Sequence, residues 1–181
     1  SHYQLPIVEH DLERLREIEF LPFRQAVQNG VAAVMTAHVI YKGIDKKYPA
    51  AISEKIVHNL LRREMGFNGL VITDDLEMKA IADNYNIEDA AILAVSAGAD
   101  MLLLCRDHGK QKAARDALIK AVKDKTISEG RIDESIERID ALKKRFLKDV
   151  LVNLKNIKEA VGNKRHLDIA KKITSYSHTP L

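Results

Sequence analysis

Three short apolar runs, each followed by a stretch of helical periodicity, constrain the fold of this chain more than any other feature. Residues 31–39 read Val-Ala-Ala-Val-Met-Thr-Ala-His-Val, residues 70–73 Leu-Val-Ile-Thr and residues 101–105 Met-Leu-Leu-Leu-Cys. Such runs between turn residues read as buried strands. Ser53 can cap a helix whose stripe is Ile56, Val57, Leu60 and Leu61, with Gly66 closing it. A short helix over about 77–84 and another over 88–97, ended by Gly98, follow the second strand. Residues 109–123 are helical, with Ala114, Leu118, Ala121 and Val122 on one side; a further helix follows Ser128 and carries Ile132, Ile136, Ile139, Leu142 and Phe146. Ahead of the first strand, Asp11 can cap a helix bearing Leu12, Leu15 and Ile18. Pro22 makes it kink or restart before Gly30 ends it. Residues 1–9 and 40–52 read as loops. One helix, then strand–helix three times over, implies right-handed crossovers and a parallel sheet.

The second strand delivers two adjacent carboxylates, Asp74 and Asp75, at its C-terminal end. Buried charge is costly unless paired or used, and catalytic groups of α/β barrels sit at strand C-termini. Asp74 is therefore the first candidate for chemistry. The first strand ends in Thr36 and His38 on the same edge, where ligands bind in parallel α/β sheets. His38 has two readings, a pocket-lining residue or a core histidine hydrogen-bonded near Thr36. Met78 packs either on a ligand or in the core, and Arg106 reaches either a pocket or solvent. His10, His58, His108, His166 and His178 lie in polar or helical surroundings and receive no role. No His, Cys and carboxylate cluster has metal-ligand spacing, so neither metal nor cofactor is expected.

Three strands do not close a barrel. A (β/α)8 barrel takes about 250 residues, and an isolated three-stranded parallel sheet exposes two edges. Partner strands are expected upstream, because the C-terminal helices read as a finish. The chain opens at Ser1-His2-Tyr3 without an initiator Met or signal peptide and closes at His178-Thr179-Pro180-Leu181, which reads as an internal piece of a longer protein. Its 181 residues are 46% hydrophobic, enough for a core, while 5% aromatics and no Trp make that core Leu, Ile, Val and Ala. A net charge of +3 is too small to indicate nucleic acid, and the single Cys105 excludes an internal disulfide. No run reaches the roughly 18 apolar residues of a membrane span. After Lys148 the texture becomes that of a connector with a weak helix, and Asn163 can cap a last helix to about Tyr176. Residues 143–172 hold ten Lys or Arg against three acids, which reads as a solvated helical face and linker. The division expected is 1–147 for the α/β part and 148–181 for a linker and the start of a second domain.

These residues carry a resemblance. Ser1-His2-Tyr3-Gln4-Leu5-Pro6, Leu12-Glu13-Arg14-Leu15-Arg16-Glu17, Pro22-Phe23 and Val34-Met35-Thr36-Ala37-His38-Val39 are followed by Leu60-Leu61-Arg62-Arg63-Glu64-Met65-Gly66-Phe67-Asn68-Gly69, Thr73-Asp74-Asp75-Leu76-Glu77-Met78 and Arg131-Ile132-Asp133-Glu134-Ser135-Ile136. In that order, over about 1–147, the chain resembles glycoside hydrolase family 3, in its β-N-acetylglucosaminidase branch. The resemblance implies the C-terminal part, about three βα units, of a TIM-like (β/α)8 barrel. It implies removal of terminal N-acetylglucosamine, with retention of configuration, from peptidoglycan-derived or chitin-type sugars, and thus a role in peptidoglycan recycling. It implies Asp74 as nucleophile and His2 as acid/base; His38 and Met78, by their positions, are the candidates against the sugar. The aspartate that would precede Ser1 and orient His2, and an upstream Lys-His pair that contacts the sugar, lie outside this sequence. Residues 163–181 resemble the entry to the second domain of two-domain members, which favours export or the cell envelope over the cytoplasm.

Retaining hydrolysis needs a nucleophile on one face of the anomeric carbon and a proton donor on the other. Asp74 is expected to point inward, with Asp75 tied to a backbone amide or a base. An imidazole suits a step that gives and retakes a proton near neutrality. The partners expected are a carbohydrate substrate and the N-terminal half of the barrel. Two other readings stand beside the glycosidase: a non-catalytic half-barrel module that needs a partner half, and a metal-dependent hydrolase using Asp74, Asp75 and His38.

Overall fold

The computed structural model describes residues 5–147 and 157–176. Two compact units divide the chain, Ser1–Phe146 and Leu147–Leu181. The first is α/β with parallel sheets.

Strand β1 (Ile7–Val8) leads to helix α1 (Leu12–Arg14), capped by the Asp11 carboxylate, which accepts from the Arg14 amide at 2.8 Å. A π-turn, Leu15–Glu19, separates it from α2 (Leu21–Gln28). Pro22 falls in the first turn of α2, where its missing N–H costs nothing, so the expected interruption is a restart. Strand β2 (Ala33–Thr36) is shorter than the apolar run that contains it. The carbonyls of Ala37 and Val39 are taken by the amides of Ala51 and Ala50, which pulls the chain out of the sheet after Thr36. Strand β3 (Ile40–Tyr41) pairs in parallel with β1, in segments read from sequence as loops. Two-residue strands are too short to show a period of two.

A 3₁₀ turn (Ala50–Ile52) and a π-helix (Lys55–Glu64) follow. Ser53 sits ahead of the π-helix as expected, accepting weakly from the Ile56 amide while it donates to Asp45 at 2.7 Å. Strand β4 (Leu70–Asp75) precedes α3 (Lys79–Ala82) and α4 (Ile87–Ala97). Strand β5 (Met101–Leu103) then gives way to α5 (His108–Lys123) and α6 (Glu129–Phe146). The Leu104 carbonyl accepts from the Gln111 side chain, which ends β5 sooner than the apolar run suggests. In the second unit, α7 spans Ile157–Ala160 and α8 Lys164–Tyr176; Asn163 caps α8 by accepting from the His166 amide.

The main sheet has the order β2–β4–β5, all parallel. Val71 of β4 packs with Val57 and Leu61 of the π-helix and with Ala94 and Ala97 of α4. Four alanines on α4 (90, 91, 94 and 97) are buried, which lets that helix lie close to the sheet. Gly98 ends α4 at φ +115°, and a Cβ there would stand 3.1 Å from Val57. The other sheet face is open among the described residues. Met35, Ile72 and Met101 are register partners across all three strands, and Met35 and Met101 remain 56% and 39% exposed.

One buried carboxylate fastens the N-terminal edge of this sheet. Asp100 Oδ2 accepts from the Val71 amide and the Arg62 guanidinium, while Oδ1 accepts from Ser135 at 3.0 Å, Arg138 at 3.1 Å and Arg131 at 3.3 Å. The remaining Arg62 and Arg131 donors close on the carbonyls of Phe67, Gly69, Gly98, Val95 and Ala99. Strands β4 and β5, the π-helix and α6 thus meet on a single side chain.

Two stability predictions follow from this packing. Asp100→Asn leaves three guanidiniums without their carboxylate and is expected to lower unfolding free energy in urea by about 3–5 kcal/mol, the cost of breaking a buried pair. Gly98→Ala is expected to cost about 1–2 kcal/mol, because an L side chain at positive φ strains the backbone; an unchanged midpoint would show that the helix end relaxes.

Candidate active site

The C-terminal ends of β2, β4 and β5 gather the polar residues. The β2–β4 ladder runs from Ala33↔Leu70 to Thr36↔Thr73 and stops there. Between β4 and β5, Ile72 pairs with Met101 and Asp75 with Leu103, so Thr73 and Asp74 lie opposite the single residue Leu102. This is a β-bulge, a feature that re-aims side chains next to active sites. Thr73 repairs part of the gap by accepting from the Leu103 amide on its hydroxyl at 3.1 Å.

Asp74 follows Ile72 of the open face by two residues and is half-buried. Its Oδ1 accepts from the Asp75 amide at 2.8 Å. The Asp75 carboxylate accepts from the Glu77 amide at 3.0 Å, a backbone amide tie of the kind expected for it. Glu77, expected at the start of a short helix over about 77–84, instead lies in a turn ahead of α3 and ties the strand ends together. Its side chain is 5% exposed and accepts from the Arg106 amide at 2.7 Å and the Asp107 amide at 3.3 Å, with Lys110 at 3.8 Å. Its signal in the sequence was its place as the third acid within four residues. Arg106 is exposed and contributes its backbone amide here.

His38 is fully buried. Its Nε2 lies 2.9 Å from the Asp75 carbonyl. A carbonyl only accepts, so Nε2 carries the proton and Nδ1 is the bare nitrogen. Nδ1 is buried with no hydrogen-bond partner among the described residues. Burial pushes the His38 pKa below its ordinary value, against the Asp75 hydrogen bond and the charges of Asp74 and Asp75. The ring is therefore neutral near pH 7. This geometry matches a hydrogen-bonded interior histidine, with the Asp75 carbonyl rather than Thr36 as its partner. Met78 is half-buried at the entry to α3, where its amide donates to the same Asp75 carbonyl at 3.0 Å. Desolvation and the charges of Asp75, Glu77 and Asp74 raise the thiol pKa of exposed Cys105, which keeps it protonated. Among the described residues, no three His, Cys, Asp or Glu side chains are grouped to hold a metal ion. His2 lies outside the described residues.

A neutral donor histidine, a carboxylate at a bulge and two bracing acids thus share one strand-end cluster. Comparisons with known proteins point to a single family. The chain is 38% identical over 110 residues to a protein named Beta-hexosaminidase from Methylobacillus flagellatus, covering 61% of this chain and 31% of that protein. It is 49% identical to a solved glycoside hydrolase family 3 β-N-acetylglucosaminidase from Paenibacillus sp. str. FPU-7, with a TM-score of 0.79 over 80% of this chain and 28% of that one. The β-N-acetylglucosaminidase of Thermotoga maritima is 37% identical, with a TM-score of 0.72 over 76% of this chain and 31% of that one. The chain spans about a third of the length of the curated relatives it matches. Residues 1–142 match the Glycosyl hydrolase family 3 N terminal domain. The chain belongs to glycosyl hydrolase family 3.

Proposed function

We propose that this chain is the C-terminal part, about three βα units, of a (β/α)8 barrel that removes terminal N-acetylglucosamine with retention of configuration. The observation that carries the reading is Asp74, a half-buried carboxylate at the C-terminal end of β4, two residues beyond the open-face Ile72. Its Oδ1 is engaged by the Asp75 amide. Oδ2 is then the oxygen that attacks the anomeric carbon through an oxocarbenium-like transition state and forms a glycosyl ester. His2 protonates the departing oxygen and afterwards takes a proton from the water that cleaves the ester. The names of the relatives, Beta-hexosaminidase and β-N-acetylglucosaminidase, support an N-acetylated sugar. Peptidoglycan fragments and chitin-type oligosaccharides are the substrate classes that end in it. Met78 borders the sugar from the loop after Asp74.

The uncovered row Met35–Ile72–Met101 supports a site completed by an N-terminal half-barrel, since apolar side chains on an open sheet face want a cover. The isolated 181 residues are accordingly expected to associate on gel filtration and to leave a chromogenic N-acetylglucosaminide intact. Robust turnover by the piece alone would overturn the half-barrel assignment.

The nucleophile is tested on the whole natural polypeptide that carries this chain. A slow fluorinated N-acetylglucosaminide is expected to leave an ester on Asp74, read by peptide mass spectrometry. Asp74→Asn is expected to lower kcat by on the order of 10⁴-fold or more, as loss of a nucleophile does elsewhere. A label on another residue removes the assignment. Activity is also expected to survive a chelator; its loss would favour metal-assisted hydrolysis by Asp74, Asp75 and His38.

A further inference from the structure

Asp74 lies within the bulge, where the strand ladders give it little support. Beyond Thr73 no ladder pairing joins β4 to β2, and opposite β5 the register slips across Thr73 and Asp74. A nucleophile in such a place needs its backbone fixed by other means, because a reacting group displaced by about 1 Å can lose about 10²-fold in rate.

The next peptide unit supplies that fixing. The Asp75 carbonyl accepts from His38 Nε2 at 2.9 Å and from the Met78 amide at 3.0 Å. The adjoining Leu76 amide donates to the Leu103 carbonyl at 2.9 Å. The Asp75 amide, on the other side of the same residue, holds Asp74 Oδ1. Of these bonds only the histidine reaches across from the β2 side, so it takes the place of the missing rung between β2 and β4. A lysine or arginine there would bring charge into a fully enclosed position, and a hydroxyl is too short to span the gap between strands. A neutral imidazole is stiff, donates one hydrogen bond at the required reach and has two χ angles to hold still.

We propose that His38 is a positioning residue for the hydrolysis. Its Nε2–H···O=C bond to Asp75 fixes the 74–76 backbone, and through it the direction of the Asp74 carboxylate, without contact with the sugar. This assignment rests on Asp74 being the nucleophile.

The test uses the full natural polypeptide and four variants. His38→Leu fills the space without a donor. His38→Gln places an amide donor at about the position of Nε2, whereas the shorter His38→Asn stops at about that of Nδ1. Lys120→Gln, exposed in the last turn of α5, controls for substitution elsewhere in the unit. The expected result is a fall in kcat of about 10–100-fold for His38→Leu and His38→Asn, with KM within about threefold of the parent, because misplacement acts on the chemical step. His38→Gln is expected to recover most of the loss. The rate at which the fluorosugar esterifies Asp74 should follow the same order. A purely structural histidine would lower the melting temperature of all three His38 variants and leave kcat of the folded fraction unchanged, and that result overturns the proposal. A rise in KM with kcat intact also overturns it, since it marks a sugar contact. Should His38→Leu fail to fold, Gln against Asn still decides, and equal kcat values for that pair overturn the proposal. The two readings fail separately. A label away from Asp74 in the parent removes the nucleophile and this inference with it, whereas a label on Asp74 that forms at the parental rate in His38→Asn removes the positioning role alone.

Discussion

The grip of one carboxylate on three guanidiniums underlies the rest of the α/β unit. Asp100 enters β5 and, by binding Arg62, Arg131 and Arg138, draws the π-helix and α6 onto the N-terminal edge of the sheet. Charges this enclosed are tolerated only when paired and hydrogen-bonded, and here each condition is met. The arginines place their other donors on carbonyls of the 67–69 turn and of the C-terminal end of α4, so a single cluster also binds backbone there. With that edge locked, the strands can afford irregularity at the opposite edge.

The opposite edge is where irregularity is found. The ladder between β2 and β4 ends, a bulge interrupts β4 and β5, and side chains take over the bonding that the backbone gives up. Thr73, Asp75, Glu77 and His38 each use a polar atom on a neighbouring backbone group. The cluster is therefore built from local ties rather than from a regular lattice.

The strand–helix alternation, the parallel sheet, the helix stops at Gly30, Gly66 and Gly98, and the caps at Asp11 and Asn163 were all legible from residue pattern. Each depends on contacts within a few residues, and those contacts leave a periodic or positional trace. The ends of β2 and β5 were not legible, because the carbonyls of Ala37, Val39 and Leu104 are claimed by Ala51, Ala50 and Gln111, partners chosen by the folded loop. The pairing of β1 with β3 joins segments more than thirty residues apart and leaves no mark in either. The acids at 74 and 75 were visible as a run of charge after an apolar strand. The bracing role of Glu77 was not, since its partners at 106 and 107 are distant in sequence.

The sequence by itself determined the order and type of the elements and the strand end that carries Asp74, because periodicity and caps act over short range. Only the tertiary structure decided that Asp100 is the hub of three arginines, that the ladder breaks beside Asp74, and that His38 is enclosed and donates to the Asp75 carbonyl. Such pairings join residues some thirty or more positions apart, and nothing in local pattern selects one distant partner over another; packing of the helices onto the sheet does.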